Sequence, residues 1–310
     1  MTGFLADVLA DPLVEEVIVH GGERTFVVRQ GEKRLLPIVS DPDSVRDLVE
    51  RLLSGTGRRL DLASPIVSAQ LPDGSRLHVT GPPVTRPGNL NVQIRRFVVA
   101  ASGMEELARR GSVPSEIAEL LATAIADDRT VLVAGAPGAG KTTLAGCLLA
   151  AVPPDRRVVT CEEVFEISVE LPDMTRMQTR DEGLDGGAAI TLRDLVRASL
   201  RQRPDRIVVG EVRGPEALDL LLALNAGCSG LATLHANSAI DALDKLVGYC
   251  VLAGSNVSID YVRSALAAVT DLVVFLRRSP EGRRVEEVAQ VTGWDGACWT
   301  HEMLYRAAGG

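Results

Sequence analysis

One short stretch constrains this chain more than any other: Gly135-Ala136-Pro137-Gly138-Ala139-Gly140-Lys141-Thr142. It fits the phosphate-binding pattern G-x-x-x-x-G-K-[ST]. The apolar run Thr130-Val131-Leu132-Val133-Ala134 precedes it and reads as a buried parallel strand. Thr143-Leu144-Ala145-Gly146-Cys147-Leu148-Leu149-Ala150 follows it and reads as a helix. Strand, glycine loop and helix in that order predict a P-loop. Such a loop turns backbone N–H groups around nucleotide phosphates, and the helix N-terminus adds partial positive charge. Lys141 would reach the β- and γ-phosphates, Thr142 would place its hydroxyl on Mg2+, and Thr143 completes the binding set. The predicted ligands are ATP or GTP with Mg2+. Pro137 has no backbone N–H and cannot donate to phosphate.

Composition narrows the class. A chain of 310 residues is long enough for two domains, and 46% hydrophobic content supports real cores. No apolar run reaches the roughly 18 residues of a membrane span. The N-terminus lacks a basic region followed by an apolar stretch. Cys147, Cys161, Cys228, Cys250 and Cys298 are scattered without a C-x-x-C pair. That is the pattern of reduced thiols rather than a zinc site, and it predicts a cytoplasmic protein. The formal net charge of −8 and the 3% aromatic content argue against direct nucleic-acid binding, which favours a basic surface and stacking platforms.

Two regions follow from the patterning. Residues 1–99 read as a small α+β domain. Its short strands are predicted over 14–19, 25–29, 33–38, 66–70, 75–80 and 91–97, with a helix over 42–54. Pro72-Asp73-Gly74 marks a hairpin turn. Residues 100–112 read as a linker, opening on Ala100-Ala101-Ser102-Gly103. Over 113–310 strands alternate with helices, which predicts a parallel sheet and an α/β domain. Strands are expected at 130–134, 157–160, 206–210, 231–234 and 271–275, with terminal strands at 285–291 and 298–305. Helices are expected at 115–126, 191–202 and 238–252, the last two opening on capping-box patterns. Residues 181–187 read as a mobile loop.

A P-loop enzyme carries its other polar groups at the C-terminal ends of neighbouring strands. Arg206-Ile207-Val208-Val209-Gly210-Glu211 ends in a carboxylate suited to orienting an attacking water or binding a Mg2+ water. Val158-Val159-Thr160-Cys161-Glu162-Glu163 ends in two carboxylates that can hold the Mg2+ hydration shell. Mechanism alone does not separate Glu162 from Glu163; Glu163 is the candidate Mg2+ residue, acting through water, beside Thr142. With Glu166 nearby, the same stretch also reads as a solvated acidic turn. Leu231-Ala232-Thr233-Leu234-His235-Ala236-Asn237 puts His235 at a strand end, where it can hydrogen-bond the γ-phosphate and report its loss. Arginines supply transition-state charge in such enzymes. Among Arg95, Arg96, Arg180, Arg193, Arg197, Arg201, Arg203 and Arg213, the pair Arg95-Arg96 stands out because it closes the first domain just before the linker.

Together these segments resemble the type II/type IV secretion and pilus ATPases. Residues 157–163 are similar to the family's Asp box. Arg203-Pro204-Asp205-Arg206-Ile207-Val208-Val209-Gly210-Glu211-Val212-Arg213-Gly214 is similar to its Walker B region, and Ala232-Thr233-Leu234-His235-Ala236-Asn237-Ser238 to its His box. Leu71-Pro72-Asp73-Gly74-Ser75-Arg76 and Ile94-Arg95-Arg96-Phe97 are similar to its N-terminal domain. The resemblance runs in order through nearly the whole chain, nearest to the tight-adherence (Tad/Flp) pilus ATPases. It implies a RecA-like P-loop C-terminal domain, a small α+β N-terminal domain, and ATP between them. It also implies a homo-hexameric ring that hydrolyses ATP to drive a polytopic inner-membrane platform protein. Membrane association is then peripheral, at the inner face and only through partners. Carried over residue by residue, the resemblance makes Glu162 or Glu163 the Asp-box acids, Glu211 the Walker B glutamate and His235 the His-box histidine. Arg76, Arg95 and Arg96 match N-terminal arginines drawn towards the γ-phosphate or a neighbouring subunit. Ala136-Pro137 departs from the family's usual Gly-Thr, and Cys228 stands where the tight-adherence branch often has His. On the residues alone two other classes stay open: a RecA-like nucleic-acid motor or DNA-transfer ATPase, and a nucleotide-gated binding protein with negligible turnover.

Overall fold

The computed structural model describes residues 5–29, 31–96, 101–180, 188–279 and 282–307. The chain divides into two compact units, Met1–Val98 and Val99–Gly310. The first contains α1 (Ala6–Ala10), β1 (Val14–His20), β2 (Arg24–Arg29), β3 (Glu32–Leu36), α2 (Pro42–Leu53), β4 (Ile66–Gln70), β5 (Arg76–Thr80) and β6 (Asn91–Arg95). Its sheet runs β3-β2-β1-β6-β5-β4, antiparallel throughout. Asp41 caps α2 by accepting the Ser44 N–H at 2.8 Å, and Pro42 occupies the first turn, where its missing N–H has no helical partner to lose. Val45, Leu48, Val49 and Leu53 then fall on one helical face and share a core with Val17, Val19, Leu77, Val79, Val92 and Ile94 of the sheet. The β4–β5 hairpin turns at Pro72-Asp73-Gly74, where Asp73 accepts the Ser75 N–H at 3.0 Å.

The second unit contains α3 (Met104–Arg109), α4 (Ser115–Ala126), β7 (Val131–Gly135), α5 (Lys141–Leu149), β8 (Val158–Glu162), β9 (Met174–Gln178) and α6 (Leu192–Ser199). It continues with β10 (Arg206–Val212), α7 (Glu216–Asn225), β11 (Ser229–Leu234), α8 (Ala239–Val251), α9 (Ile259–Val269), β12 (Leu272–Ser279), β13 (Gly282–Trp294) and β14 (Trp299–Arg306). The sheet order is β14-β13-β12-β7-β11-β10-β8-β9. From β12 to β9 it is parallel; β13 and β14 close one edge antiparallel. Strand alternation sorts the side chains into two cores. Leu132, Ile207, Ala232 and Val273 pack with α6, α7, α8 and α9, while Val131, Val133, Val208 and Leu231 pack with α3, α4 and α5. The result is a three-layer α/β architecture with β7 and β11 in the middle of the sheet.

Several elements differ from the sequence reading. The expected linker contains α3, with Met104 and Leu107 buried in the core that α4 and α5 share. Its N-terminus is fixed by Glu106, which accepts the Ser102 N–H at 2.9 Å. The edge strand β9 was not expected, nor were α7 and α9 named. Residue Phe97, the opening Ala100 and the loop over 181–187 lie outside the described residues. Among the described residues, no helix is long and apolar enough to cross a membrane.

Candidate active site

β7 ends at Gly135 and α5 begins at Lys141, so residues 136–140 bridge the central strand and its helix. The backbone requires glycine at both ends of this bridge. Gly135 has φ 153°, and a Cβ there would lie 2.5 Å from the Leu276 carbonyl oxygen. Gly140, the N-cap of α5, has φ 98°. That cap has no side chain, and the first turn of α5 holds no acidic residue. By contrast α2, α6, α8 and α9 are capped by Asp41, Thr191, Ser238 and Ser258. The N-terminus of α5 is therefore the one among these whose dipole and first-turn N–H groups face no side-chain cap, as an anion site needs.

Lys141 is buried. Its Nζ donates to the Gly135 and Ala136 carbonyls at 3.1 and 3.3 Å and to His235 Nδ1 at 3.1 Å. Nδ1 also lies 3.2 Å from the Gly135 oxygen, a contact only the opposite tautomer would make. The ammonium can only donate, so Nδ1 accepts and the ring proton sits on Nε2. Nε2 is 2.6 Å from Glu211 Oε1, and Lys141 Nζ is 3.8 Å from the same oxygen. Lys141 lies beyond hydrogen-bond distance and neither group makes a hydrogen bond to Oε1, so this buried oxygen keeps accepting capacity. Glu211 Oε2 pairs with Arg213 Nη2, and Arg213 Nη1 reaches Glu163 Oε2 at 2.9 Å. Burial disfavours the Arg213 charge, but the bond to Glu211 and the charges of Glu211, Glu163 and Glu166 outweigh it and raise its pKa. Lys141, His235, Glu211, Arg213 and Glu163 thus form one connected polar chain at the ends of β7, β11, β10 and β8.

The two adjacent glutamates at the end of β8 have separate fates. Glu162 is 1% exposed. It accepts Thr160 Oγ1 at 3.1 Å and the Glu166 and Ile167 N–H groups at 2.8 and 3.0 Å. Burial pushes its carboxyl above the ordinary value, against the pull of those hydrogen bonds. Gly210 makes room for it: a Cβ there would sit 3.2 Å from Glu162 Cγ. Glu162 is thus engaged in holding the following turn, whereas Glu163 is exposed and pairs with Arg213. Of the carboxylates after β8, Glu166 reaches the P-loop, where its Oε2 accepts the Thr142 hydroxyl at 3.1 Å. Its only sequence signal is that it shares the turn after β8. Thr142 and Glu166 offer the hard oxygens that Mg2+ takes, and Mg2+ fills its remaining positions with water and phosphate oxygens. The residues therefore fit the ion. Among the described residues no group of three or more His, Cys, Asp or Glu could hold a metal unaided.

Arg95 and Arg96 belong to the N-terminal unit. Arg95 is exposed, in cross-strand register with Glu16 and Arg76. Arg96 donates Nη1 to the Asp11 carbonyl of the same unit. Arg193 and Arg197 clamp Asp219 at 2.5 and 2.7 Å and so tie α6 to α7.

Comparison with known proteins decides the family. The model of the "Type II/IV secretion system protein" family matches residues 2–307. The chain belongs to that family. It is an ATPase. A Mycobacterium tuberculosis protein named for conjugal transfer is 36% identical over 290 residues, 91% of this chain and 82% of the relative. VirB11 of Agrobacterium fabrum is 27% identical over 310 residues, covering 90% of this chain and 89% of VirB11. Among solved structures, the VirB11 ATPase of the Brucella suis type IV secretion system, in complex with sulphate, is 25% identical and superposes with a TM-score of 0.51 over 92% of each chain. The pilus retraction motor PilT with bound ADP reaches a TM-score of 0.67 at 20% identity, covering 100% of this chain and 84% of PilT. At that identity PilT speaks for the fold alone. In this secretion ATPase the polar chain from Lys141 to Glu163 occupies the strand ends at which the α/β fold binds ligands.

Proposed function

We propose that this chain is the ring-forming motor of a type II/IV-type secretion or pilus machine. It would work as a homo-hexamer that hydrolyses ATP with Mg2+ and drives a polytopic inner-membrane platform protein. The observation that carries the reading is the convergence of Lys141, His235 and Glu211 beside an uncapped helix N-terminus. Lys141 and the first turn of α5 bind the phosphates. Glu211, held by Arg213 and approached by His235, uses its spare accepting capacity to orient the attacking water. Thr142 and Glu166 hold Mg2+, which when bound neutralises charge on the phosphates. Of the two N-terminal arginines, Arg95 is exposed and Arg96 is engaged within its own unit, so Arg95 is the candidate to supply charge to the phosphate of a neighbouring subunit.

Within the family, the tight-adherence branch rests on the resemblance of the motif set taken together, whereas the relatives' names favour a conjugal or VirB11-type machine. Those names also support a second reading, a DNA-transfer ATPase that grips nucleic acid itself. The test is steady-state ATP hydrolysis beside molar mass in solution, with Lys141→Ala as control. Hydrolysis that accompanies a hexamer and vanishes in the variant supports the motor; robust hydrolysis by a monomer refutes the ring. Turnover stimulated by DNA with a steep salt dependence transfers the case to the second reading.

A further inference from the structure

Glu211 meets Lys141 and His235 because β10 breaks its alternation. Ile207 and Val209 belong to the core covered by α6, α7, α8 and α9, and Val208 to the core on the side of α5. Side chains on a strand alternate between faces. An unbroken β10 would therefore send Glu211 to the side of Ile207 and Val209, and Val212 to the side of α5. The structure has the reverse. Val212 is buried in the same core as Ile207 and Val209, and Glu211 lies beside Lys141 and His235. The register gives the cause. From Val209 opposite Ala232 to Val212 opposite Leu234, β10 advances three residues while β11 advances two. β10 thus carries a bulge at Gly210-Glu211. Bulges are rare between parallel strands, and next to active sites they re-aim a side chain. Within this bulge the Thr233 hydroxyl donates to the Gly210 carbonyl at 2.6 Å. Thr233 is 2% exposed and alternates on β11 with Leu231 and His235, on the face turned to α5. Downstream, the buried Glu216 accepts the Arg213 and Gly214 N–H groups at 2.7 and 2.8 Å. The segment 210–214 is thus pinned from β11 at one end and from α7 at the other.

We propose that Thr233 is a positioning residue for ATP hydrolysis: its hydroxyl fixes the bulge that turns Glu211 to the phosphate-binding side of the sheet. The proposal rests on the reading of Glu211 as the group that orients the attacking water. Arg213 holds one carboxylate oxygen of Glu211, but it branches from the same segment and moves with it. Thr233 belongs to the neighbouring strand and locates that segment from outside. A bulge interrupts the ladder, so a carbonyl within it needs a donor from elsewhere. The hydroxyl supplies one; a valine of the same branched shape has none. Groups that act on a reacting atom must stay close to their working geometry, and a displacement of about 1 Å can cost about 100-fold in rate. Thr233 therefore acts on the rate of hydrolysis, whereas nucleotide affinity stays with Lys141 and the first turn of α5.

The test is steady-state ATP hydrolysis by the full chain beside calorimetric titration with ADP and with a non-hydrolysable ATP analogue. The variants are Thr233→Val and Thr233→Ser, with Glu211→Gln as reference. Thr233→Val should lower kcat about 10- to 100-fold and leave both affinities within about twofold of the parent, the split expected when only the rate of the chemical step is affected. Thr233→Ser keeps the hydroxyl and should bring kcat back to within about threefold of the parent. A purely structural role would lower the melting temperature of Thr233→Val and leave kcat unchanged at temperatures well below the melt. Parental kcat in Thr233→Val, beside a Glu211→Gln protein that has lost turnover, overturns the proposal and leaves the reading of Glu211 intact. Parental kcat in Glu211→Gln removes that reading and this proposal together. A loss of nucleotide affinity as large as the loss of kcat makes Thr233 a support of the binding site and overturns the positioning role. A Thr233→Ser protein as slow as Thr233→Val shows that shape, not the hydroxyl, matters, and also overturns it. Thermal melts without ligand establish that each variant is folded at the assay temperature, and Thr233→Ala, which removes the same hydroxyl, is read in place of a valine variant that is not.

Discussion

Glu162 and Glu166 make opposite predictions although they sit in one turn. Glu162→Ala removes the acceptor for the Glu166 and Ile167 N–H groups and for Thr160 Oγ1. The Ile167 N–H is buried, whereas Glu166 is half-exposed and can turn to water. One fully unsatisfied donor and one partly rescued donor cost about 2–4 kcal/mol together. For a unit of this size that lowers the melting temperature by roughly 5–15 °C. Glu162→Gln keeps an amide oxygen for the two N–H groups and loses only the charge. Burial holds the Glu162 carboxyl above its ordinary 4.5, so the native state keeps this proton to higher pH than the unfolded chain does. The stability this contributes is complete below the unfolded value and is lost as pH rises through the folded value. Glutamine does not titrate, so Glu162→Gln should gain on the parent as pH rises through that window. Thermal melts from pH 4 to pH 8, with ATP turnover at each pH below melting, measure both effects. Glu166→Gln should leave the melt nearly unchanged and raise the Mg2+ needed for half-maximal turnover about 10–100-fold. The reasoning is refuted if Glu162→Gln melts like the parent at every pH yet has lost turnover, while Glu166→Gln turns over normally at low Mg2+.

Three further outcomes test other parts of the structure. Glu211→Gln should abolish hydrolysis and spare ATP binding; surviving hydrolysis removes Glu211 from the role of orienting water. Gly135→Ala forces a Cβ to 2.5 Å from the Leu276 carbonyl at a φ of 153°. It should cost about 1–3 kcal/mol of strain or more and abolish nucleotide binding, read by melt and titration. Arg206 is buried and donates to the Ile125, Arg129 and Gly230 carbonyls, and burial pulls its pKa down to about 10. Arg206→Leu should destabilise by about 2–4 kcal/mol in urea unfolding while leaving the KM for ATP unchanged, since those bonds hold α4 and β11 rather than the site.

What was legible in the sequence was local. The strand, loop and helix around Gly135–Thr142, the Pro72-Asp73-Gly74 turn and the Thr191 and Ser238 caps each announce themselves within a few residues. β9 did not, because Met174-Thr175-Arg176-Met177-Gln178 is a half-exposed edge strand without clean alternation. α3 did not, because six residues with only Met104 and Leu107 buried are too short for a periodic signal. At the site, pattern found the strand ends but not the direction of each side chain. Glu162 and Glu163 are neighbours in sequence, yet one is sealed in the turn and the other pairs with Arg213. Glu166 reached Thr142 only because that turn folds back.

The Lys141 contacts also indicate how the site would respond to its ligand. An ammonium has three N–H donors, and the groups that accept from Lys141 include the Gly135 carbonyl, the Ala136 carbonyl and His235 Nδ1. A phosphate oxygen must take at least one of these directions. The two carbonyls belong to the loop itself and move with it, whereas His235 stands on the end of β11 and faces Glu211 through its other nitrogen. Loss of the lysine contact frees Nδ1 and allows the ring to turn, and Nε2 then leaves Glu211 Oε1. The same event that fills the phosphate site would thereby move the ring away from the carboxylate oxygen to which the proposed function gives the water-orienting role. Arg213 keeps Glu211 in place while this happens, because it holds the other oxygen and is itself braced by Glu163. His235→Ala should therefore break the dependence of turnover on the state of Glu211 without removing nucleotide affinity. Binding and single-turnover hydrolysis measured on the same preparation read this, and a variant that loses affinity yet hydrolyses normally once saturated would show that His235 only binds phosphate.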